Sequence, residues 1–317
     1  MKNLRAAVIG VGHLGRFHAQ KYAAIEGVEL VGVADADPGR AAAVAAELAV
    51  ACVSDYRMLL GQIDLVSVAV PTERHFEVVQ DCLAAGVHVL VEKPITQTVA
   101  QADALIQLAE RQQRLLQVGH LERFNPAWLA LRARIQKPIF IEAHRLAPFK
   151  PRGTDVSVVL DLMIHDLDLI LSVINSPVRE LRASGVPVLT DGIDIGNARI
   201  EFDNGCVANL SASRVSTSTL RKMRLFQKDE YLSIDFGTRQ LSAVRRHPDP
   251  QQPLASEAIE VPPGDALHSE ISAFVAAVRQ QTAAVVDGVA GRRALALALE
   301  LGRQMQQPQQ RTKDLRA

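Results

Sequence analysis

The sequence predicts an α/β protein with two domains. The first is a Rossmann domain on a doubly wound parallel sheet, and the second is an α+β domain with a largely antiparallel, open-faced sheet. Length is one observation behind this prediction, because 317 residues suffice for about two cores. Patterning is the other: apolar runs alternate with Ala-rich helical stretches up to Gly119, and short polar turns join apolar runs afterwards. We therefore place the domains at residues 1–121 and 122–317.

The predicted strands of the first domain are short and rich in aliphatic residues, as is typical of strands buried on both faces of a parallel sheet. They span residues 5–9, 29–34, 51–53, 65–69, 88–91 and 115–118. The intervening helices span residues 14–25, 39–48, 74–85 and 99–112, and each is long enough to cross one face of the sheet. The alternation predicts successive βαβ units.

The second domain begins with a predicted helix at 126–135 and a strand at 139–146, followed by a loop at 148–153 and an apolar helix at 158–174. Two hairpins are predicted from turn residues between apolar runs, at 199–202 with 206–214 and at 221–227 with 231–236. Residues 251–265 are Pro-rich and predict a loop, 268–280 and 292–306 predict helices, and 308–317 predicts a polar tail.

Composition and charge exclude several classes of protein. Lys+Arg and Asp+Glu both number 35, so no net positive charge attracts nucleic acid or anionic lipid. The longest apolar stretch, 156–174, contains several ionisable residues and is not expected to cross a membrane. The apolar run at 6–9 is too short for a signal peptide, and Cys52, Cys82 and Cys206 are too dispersed for a disulfide framework or a metal knuckle. We expect a cytoplasmic protein with reduced cysteines and no metal.

A glycine-rich turn lies where a dinucleotide site requires it. The segment Gly10-Val11-Gly12-His13-Leu14-Gly15 follows the first predicted strand and opens the first helix. Gly10 permits the tight turn, Gly12 lets a pyrophosphate approach the helix N-terminus, and Gly15 allows close packing of helix on strand. His13 and Leu14 lie in the same turn. The motif predicts a dinucleotide cofactor.

The acidic residue after the second strand favours NAD. Asp35 follows Gly15 by about 20 residues, where a carboxylate accepts hydrogen bonds from the adenosine ribose. Arg40 lies beyond Pro38-Gly39, and an arginine in this region suits the 2′-phosphate of NADP. NADP therefore stays open as the alternative cofactor.

Other candidate residues follow strand ends, which border the ligand crevice of an open α/β sheet. Glu92-Lys93-Pro94 follows the strand at 88–91, so we expect Glu92 and Lys93 near the cofactor. Pro71, Thr72 and His75 follow the strand at 65–69 and are assigned to the same site. The alternative for Lys93 is an ordinary solvated surface lysine.

The predicted helix at 158–174 is apolar apart from one stripe. Asp161, His165, Asp168 and Ser172 recur at helical spacing and share one side. Asp161 can orient His165 and raise its basicity, which suits a general base for a substrate hydroxyl. The alternative is a core histidine satisfied by Asp161. Asp166 lies off the stripe, where it can serve a separate hydrogen bond or a subunit contact.

Taken together, these motifs resemble the glucose-fructose oxidoreductase/inositol dehydrogenase (Gfo/Idh/MocA) family. The resemblance rests on GVGHLG at 10–15, Asp35, VAVPTERH at 68–75, VEKP at 91–94 and DLMIHD at 161–166. It implies NAD(P)-dependent oxidation or reduction of a sugar-like substrate and an open sheet that forms a homodimer or homotetramer. It also implies that Lys93 binds the reacting hydroxyl, that His165 is the general base or acid, and that Asp161 orients it. Met163 stands where the family commonly has glycine.

The segment VGHLERFNPA at 118–127 resembles the branch of the family that oxidises the 3-hydroxyl of UDP-N-acetylglucosamine. The substrate residues assigned with this branch are Arg123, Phe124, Asn125, Arg145, Arg152, Asp161 and His165. Arginines, together with Lys150, suit a diphosphate. Two alternatives stay open: a dehydrogenase of free polyols or inositol, and a dinucleotide-binding regulator without catalysis.

Overall fold

A computed structural model of the chain describes residues 3–149, 156–249 and 251–306. The chain folds into two compact units. Of the described residues, one unit contains those up to Asn125 together with Gly264–Leu295, and the other contains those within Pro126–Pro263 and from Ala296 to Gln306. The predicted ranges 1–121 and 122–317 differ from these units chiefly in the stretch 264–295, which packs with the first unit. The predicted polar tail at 308–317, Lys150 and Arg152 lie outside the described residues.

The strands are numbered in chain order. They are β1 (Leu4–Ile9), β2 (Val28–Ala34), β3 (Ala51–Val53), β4 (Leu65–Val68), β5 (His88–Glu92), β6 (Leu116–Gly119), β7 (Pro138–Leu146), β8 (Val178–Val186), β9 (Ile195–Phe202), β10 (Val207–Ser213), β11 (Leu220–Gln227), β12 (Glu230–Asp235), β13 (Gln240–Arg246) and β14 (Leu254–Ile259).

The α-helices are α1 (His13–Ala24), α2 (Pro38–Leu48), α3 (Thr72–Ala84), α4 (Val99–Gln112), α5 (Pro126–Arg132), α6 (Ile164–Val173), α7 (Ala266–Gln280) and α8 (Gly288–Gln306). Two 3₁₀ segments, Tyr56–Gln62 and Leu121–Phe124, and one π-helical segment, Val159–Met163, complete the regular structure that is described. Each predicted helix has a counterpart here, with ends that differ by a few residues.

The first unit is built on a parallel sheet in the order β3-β2-β1-β4-β5-β6. All five strand pairs are parallel, so the carboxyl ends of these strands share one edge. This order confirms the predicted Rossmann domain. Helix α7 belongs to the same core because Ile271 and Phe274 pack with Val8, Leu65 and Leu90 in one buried cluster. Sequence pattern alone shows that α7 is amphipathic but not which core it covers.

The second unit is built on an eight-stranded sheet in the order β14-β13-β12-β11-β7-β10-β9-β8. Both predicted hairpins are confirmed as antiparallel pairs, β9 with β10 and β11 with β12. Strand β10 also pairs with β7 in parallel. The prediction that 251–265 is a loop is wrong, since β14 lies within it and pairs with β13. Almost every residue of β14 is exposed, so backbone pairing rather than an apolar pattern defines this edge strand.

Side chains on one face of this sheet are buried, and those on the opposite face are only partly buried. Ile141 and Ala143 of β7 are buried, whereas Phe140 is only half-buried. Phe140, Phe226 and Tyr231 lie side by side on adjacent strands, with ring centroids 5.9 and 5.0 Å apart. The predicted α+β domain with an open-faced, largely antiparallel sheet is therefore confirmed. Across the described helices, we find none with the length and hydropathy needed to span a bilayer.

Candidate functional site

A cavity of about 980 Å³ lies in the first unit, at the edge where the carboxyl ends of β1, β2 and β4 meet. Six of the residues predicted to bind the cofactor line it: Gly10, Gly12, His13, Leu14, Asp35 and Pro71. The position matches the ligand crevice expected for an open parallel sheet. Gly15, Thr72, His75, Glu92 and Lys93 are not among its lining residues.

The three glycines of the loop have different steric surroundings. Gly10 has φ +85°, and a Cβ there would lie 2.7 Å from the backbone of Ala69 and Val70. A Cβ on Gly15 would lie 1.8 Å from the carbonyl oxygen of Gly10. Apart from its own chain neighbours, the nearest described atom to a Cβ on Gly12 would be a guanidinium nitrogen of Arg40 at 3.9 Å, so the protein itself leaves that space open. The first and third glycines are needed by the fold, and the second leaves room for a ligand.

The N-terminus of α1 is directed to this space. Gly12 is the N-cap and contributes no side-chain hydrogen bond, and the first turn of α1 contains no acidic residue. The first backbone N–H groups of a helix have no partner within the helix and, with the helix dipole, favour an anion. The loop and helix therefore fit the pyrophosphate of a dinucleotide.

Asp35 organises the loop as well as facing the cavity. Its Oδ2 accepts a hydrogen bond from the Val11 amide at 2.8 Å, and its Oδ1 accepts one from the Asp37 amide at 2.9 Å. The side chain is buried, with Oδ1 lying 3.5 Å from a guanidinium nitrogen of Arg40. Arg40 itself is half-exposed and lines the cavity. Asp35, which suits the ribose of NAD, and Arg40, which suits the 2′-phosphate of NADP, are thus both present at the cavity.

His75 lies beneath the site rather than on its surface. Its Nδ1 is 2.8 Å from the carbonyl oxygen of Pro94, and its Nε2 is 2.9 Å from that of Val70. Burial lowers the pKa of His75 and outweighs these two contacts, which favour the charged ring. His75 therefore joins the loops after β4 and β5, and a direct contact with the cofactor stays a prediction.

Lys93 follows β5 in the loop that His75 contacts. The Lys93–Pro94 peptide bond is cis. The Lys93 side chain is half-buried, and its amide donates a hydrogen bond to Glu92 Oε2 at 3.2 Å. This hydrogen bond ties the backbone of the predicted catalytic lysine to the preceding carboxylate.

In the second unit, Asp161 and His165 occupy the start of the predicted apolar helix. Asp161 lies in the π-helical segment, and His165 lies in the first turn of α6. Both side chains are half-buried, whereas Asp168 on the same predicted stripe is buried. Ser172 Oγ donates to the Leu169 carbonyl at 2.6 Å. Single π-helical turns occur frequently at functional sites, which accords with the roles predicted for the first two residues.

Arg145 was predicted to contact a substrate diphosphate, and the structure gives it a different partner. Its Nε and Nη2 donate to the two carboxylate oxygens of Asp166 at 2.9 and 2.8 Å, and both side chains are buried. Its guanidinium carbon also lies 5.8 Å from the ring centroid of Phe236. This bidentate pair joins β7 to α6, so the geometry favours a structural role for Arg145 over the predicted one. Asp166 makes the separate hydrogen bond expected for it.

The predicted substrate residues around the second 3₁₀ segment differ in exposure. Phe124 is buried, whereas Arg123 and Asn125 are half-buried. Asn125 Nδ2 donates to Glu122 Oε2 at 3.0 Å. Arg123 and Asn125 therefore keep the accessibility that a substrate contact needs, and Phe124 contributes mainly to packing.

Sequence reasoning missed a buried polar cluster next to β5. His18, Glu92 and Glu270 bring one ligand-type atom each within 4.8 Å of one another. They stand on α1, β5 and α7, which are separated widely in the chain. No local spacing links them, so sequence analysis had no signal for this cluster.

Comparison with known families matches both halves of the chain. A family model described as "Oxidoreductase family, NAD-binding Rossmann fold" (Gfo/Idh/MocA) matches residues 4–120. A second, described as "GFO/IDH/MocA C-terminal domain", matches residues 133–229. The two matches cover well over half of the chain.

Among curated proteins, a UDP-N-acetylglucosamine 3-dehydrogenase of Acidithiobacillus ferrooxidans is 46% identical over 95% of this chain and 97% of its own length. A solved structure of that dehydrogenase superposes with a TM-score of 0.91 over 96% of this chain and 98% of its own. A scyllo-inositol 2-dehydrogenase (NAD(+)) of Bacillus subtilis is 29% identical over 67% of this chain and 68% of its own length. A levoglucosan dehydrogenase solved with NADH shares the fold at 17% identity, with a TM-score of 0.86.

Proposed function

This chain belongs to the Gfo/Idh/MocA family of NAD-binding oxidoreductases, and from that membership we propose that it oxidises the 3-hydroxyl of UDP-N-acetylglucosamine to a ketone. The observation that carries this proposal is the 46% identity to a UDP-N-acetylglucosamine 3-dehydrogenase over 95% of this chain. The aligned region covers 95% of this chain and therefore spans both units.

The first unit binds and orients the dinucleotide in this proposal. When bound, NAD supplies the acceptor for the hydride that leaves the sugar carbon. The open space beside Gly12 and the N-terminus of α1 receive the pyrophosphate, and Asp35 receives the adenosine ribose. Gly10 and Gly15 contribute by permitting the turn that holds these groups in place.

Lys93 binds the reacting hydroxyl oxygen. Its ammonium group places a positive charge where negative charge develops as the hydroxyl loses its proton. The bond from its amide to Glu92 limits the motion of the backbone that carries the side chain. A preorganised charge is worth more than a mobile one because it needs no reorganisation during the reaction.

His165 accepts the hydroxyl proton at a ring nitrogen. Asp161, about one helical turn earlier, orients the imidazole and stabilises its charged form. Both side chains are half-buried, so they keep access to a ligand while losing part of their hydration. Arg123 and Asn125 complete the proposed substrate contacts. Phe124 and Arg145 are left out of them because each is buried and Arg145 is paired with Asp166.

The proposal is tested by adding UDP-N-acetylglucosamine to the purified protein with NAD and following NADH absorbance. We expect NADH formation together with a sugar product that has lost two hydrogens by mass spectrometry. Free N-acetylglucosamine and UDP should give little or none, since each lacks half of the proposed substrate. NADH formation with a free sugar but not with the nucleotide sugar would contradict the assignment.

A free polyol is the second candidate substrate, because several relatives are inositol dehydrogenases at 28–34% identity over about half to two thirds of this chain. Inositol belongs in the same assay. Turnover with myo- or scyllo-inositol at a higher kcat/KM than with UDP-N-acetylglucosamine would favour this alternative.

Assembly and location complete the proposal. The half-buried row of Phe140, Phe226 and Tyr231 is an apolar surface that a second copy of the sheet can cover, which supports a homodimer or homotetramer. Cys52, Cys82 and Cys206 are free thiols, which is typical of a reducing compartment and supports the cytoplasm. Light scattering on the purified protein measures the oligomer directly, and a monomeric mass would contradict the assembly.

A further inference from the structure

A chain of buried polar groups runs from α1 to the loop that carries Lys93. Tyr22 OH lies 2.9 Å from Ser67 Oγ, which lies 3.0 Å from His18 Nδ1. His18 Nε2 lies 3.1 Å from Glu92 Oε1, and Glu92 Oε2 accepts the hydrogen bond of the Lys93 amide. Tyr22, Ser67 and His18 are buried. If His18 Nδ1 accepts from Ser67 and His18 Nε2–H donates to Glu92, every one of these polar groups has a hydrogen-bond partner.

Glu270 on α7 lies next to the His18 and Glu92 members of this row of polar groups. Its side chain is fully buried, and among the described residues neither carboxyl oxygen has a hydrogen-bond partner. A carboxyl oxygen of Glu270 lies within 4.8 Å of the facing atoms of His18 and Glu92. A buried carboxylate without donors is costly, because it loses its hydration and receives nothing in return. The neutral acid avoids most of that cost.

The two carboxyl groups differ in their surroundings. Burial, together with the nearby charge of Glu92, raises the pKa of Glu270 well above its usual value. Burial acts in the same direction on Glu92, but the bond from His18 and the charge of Lys93 outweigh it and lower the pKa of Glu92. The pair therefore holds one proton, and the proton belongs to Glu270.

A divalent metal ion is the other cation that such a trio can bind. The Glu92 carboxylate already accepts hydrogen bonds from His18 and the Lys93 amide, and the Lys93 charge offsets its own, so only one positive charge is missing at Glu270. A proton supplies that charge, whereas a divalent ion would leave an excess. Within the described parts of the chain three protein ligands converge, fewer than a closed structural site uses. The surroundings favour the proton.

We propose that Glu270 is a positioning residue, held as the neutral acid against Glu92 and His18, which keeps the Glu92 carboxylate on the Lys93 amide and so orients Lys93. This inference rests on the proposed function, in which Lys93 binds the reacting hydroxyl. Ionised Glu270 would repel Glu92 across a buried contact and weaken its bond to the loop. The elements packed around α7 contribute the other titratable groups to be considered. They are His18 and Tyr22 on α1, Glu92 at the end of β5, Lys93 after it, His120 after β6, and Glu122 and Arg123 in the 3₁₀ segment that follows.

The protonation of Glu270 is tested by infrared difference spectroscopy of the full chain and its E270Q variant. We expect the carbonyl stretch of a protonated carboxylic acid in the original protein at about pH 7, lost in E270Q. This readout is independent of any substrate, so it stands even if the proposed sugar is wrong. Absence of the band, or a stoichiometric metal in the purified protein by elemental analysis that E270Q lacks, would overturn the proposal.

The positioning role is tested by pH profiles of kcat with UDP-N-acetylglucosamine. Gln resembles the neutral acid in shape, so E270Q should keep kcat near pH 7 within about threefold and decline less at alkaline pH than the original protein. E92Q should lose about tenfold or more in kcat, because His18 and the Lys93 amide each donate to a different oxygen of Glu92, and Gln replaces one of these acceptors with an NH2 group. NAD affinity, measured by fluorescence, should change little in E270Q. Identical alkaline limbs in the original protein and E270Q would refute the role.

Discussion

The Asp35 carboxylate accepts a hydrogen bond from the amide of Val11 at 2.8 Å, which joins the end of β2 to the middle of the glycine loop. The residue expected to bind the ribose thus also shapes the loop expected to bind the pyrophosphate. One side chain therefore couples two parts of the cofactor site, and substitutions at Asp35 should affect both.

Replacing Asp35 with Ala should weaken NAD binding by about tenfold or more, because the ribose contact and the loop anchor are lost together. It should also lower the free energy of unfolding by about 1–3 kcal/mol, since the buried Val11 amide loses its partner. Titration calorimetry and urea unfolding measure the two effects. Asp103→Asn, at a surface ion pair with Arg292, is the matched control and should change neither. Lost affinity without lost stability would show that the loop anchor is unimportant.

The contact between Arg40 and Asp35 predicts how cofactor preference can be shifted. In Asp35→Ser the carboxylate that repels a 2′-phosphate is gone and Arg40 remains at the cavity. The ratio of kcat/KM for NADP over NAD should rise by about tenfold or more. Adding Arg40→Ala should reverse this gain. A gain that survives the loss of Arg40 would contradict the assignment.

The glycine loop predicts opposite outcomes for two alanine substitutions. Gly12→Ala should fold with a nearly unchanged Tm, because apart from the chain neighbours no described atom lies closer than 3.9 Å to the new Cβ. It should nevertheless lose about tenfold or more in NAD affinity. Gly15→Ala should be destabilised by about 2–3 kcal/mol or fail to fold, because its Cβ would strike the Gly10 carbonyl. Thermal unfolding with and without NAD separates the cases. Unchanged NAD affinity in Gly12→Ala would mean that the pyrophosphate binds elsewhere.

The role proposed for Lys93 predicts a loss of turnover without a loss of cofactor. Lys93→Met should lower kcat by about a thousandfold, because the charge that stabilises the developing alkoxide is removed. NAD affinity should stay within about threefold. Asp161→Ala should likewise lower activity more than cofactor affinity. Lys228→Met, at an exposed turn between β11 and β12, is the control. Normal turnover in Lys93→Met would remove this residue from the mechanism.

His88 predicts a pH-dependent loss of stability. Burial and the nearby Arg114 charge lower the pKa of His88 to about 4, and the Leu115 amide donates to its Nδ1. Between about pH 6.5 and pH 4 the unfolded chain binds a proton that the folded chain does not, so stability falls as the pH falls. Because His88 is partly exposed, we expect about 1–2 kcal/mol from this group. His88→Asn keeps an acceptor for Leu115 and should flatten this part of the profile in urea unfolding. Parallel profiles for both proteins would contradict the assignment.

The buried ion pair in the second unit predicts strong coupling. Arg145→Met alone should cost about 3–5 kcal/mol, because Asp166 is left buried and charged, and the double variant with Asp166→Leu should cost less than the single one. Urea unfolding of the single and double variants measures the coupling. Arg303→Met, whose partner Glu300 is on the surface, should leave the urea midpoint nearly unchanged. Little change in stability, combined with a raised KM for the nucleotide sugar, would restore the diphosphate role to Arg145.

Local patterns explain why the first sheet was predictable. Its strands other than the short edge strand β3 are mostly buried, so each leaves a short aliphatic run that polar turns interrupt. Strand β14 left no such run because almost all of its residues are exposed, and only its pairing with β13 defines it. The stretch 264–295 shows the same limit on a larger scale. Amphipathic spacing predicts that α7 is a helix, but the core that receives Ile271 and Phe274 is decided by the rest of the chain.

From residue types and spacings alone, the chain reveals its glycine loop, the carboxylate that follows β2, the Glu92-Lys93-Pro94 turn and the helix with Asp161 and His165. Each of these is a local arrangement, with its chemistry carried by residues a few positions apart. Only folding decided that Arg145 pairs with Asp166, that Asp35 binds the Val11 amide, and that Glu270 meets Glu92 and His18. Those partners come from distant elements, and their contacts depend on which buried surfaces pack together, which no local spacing encodes.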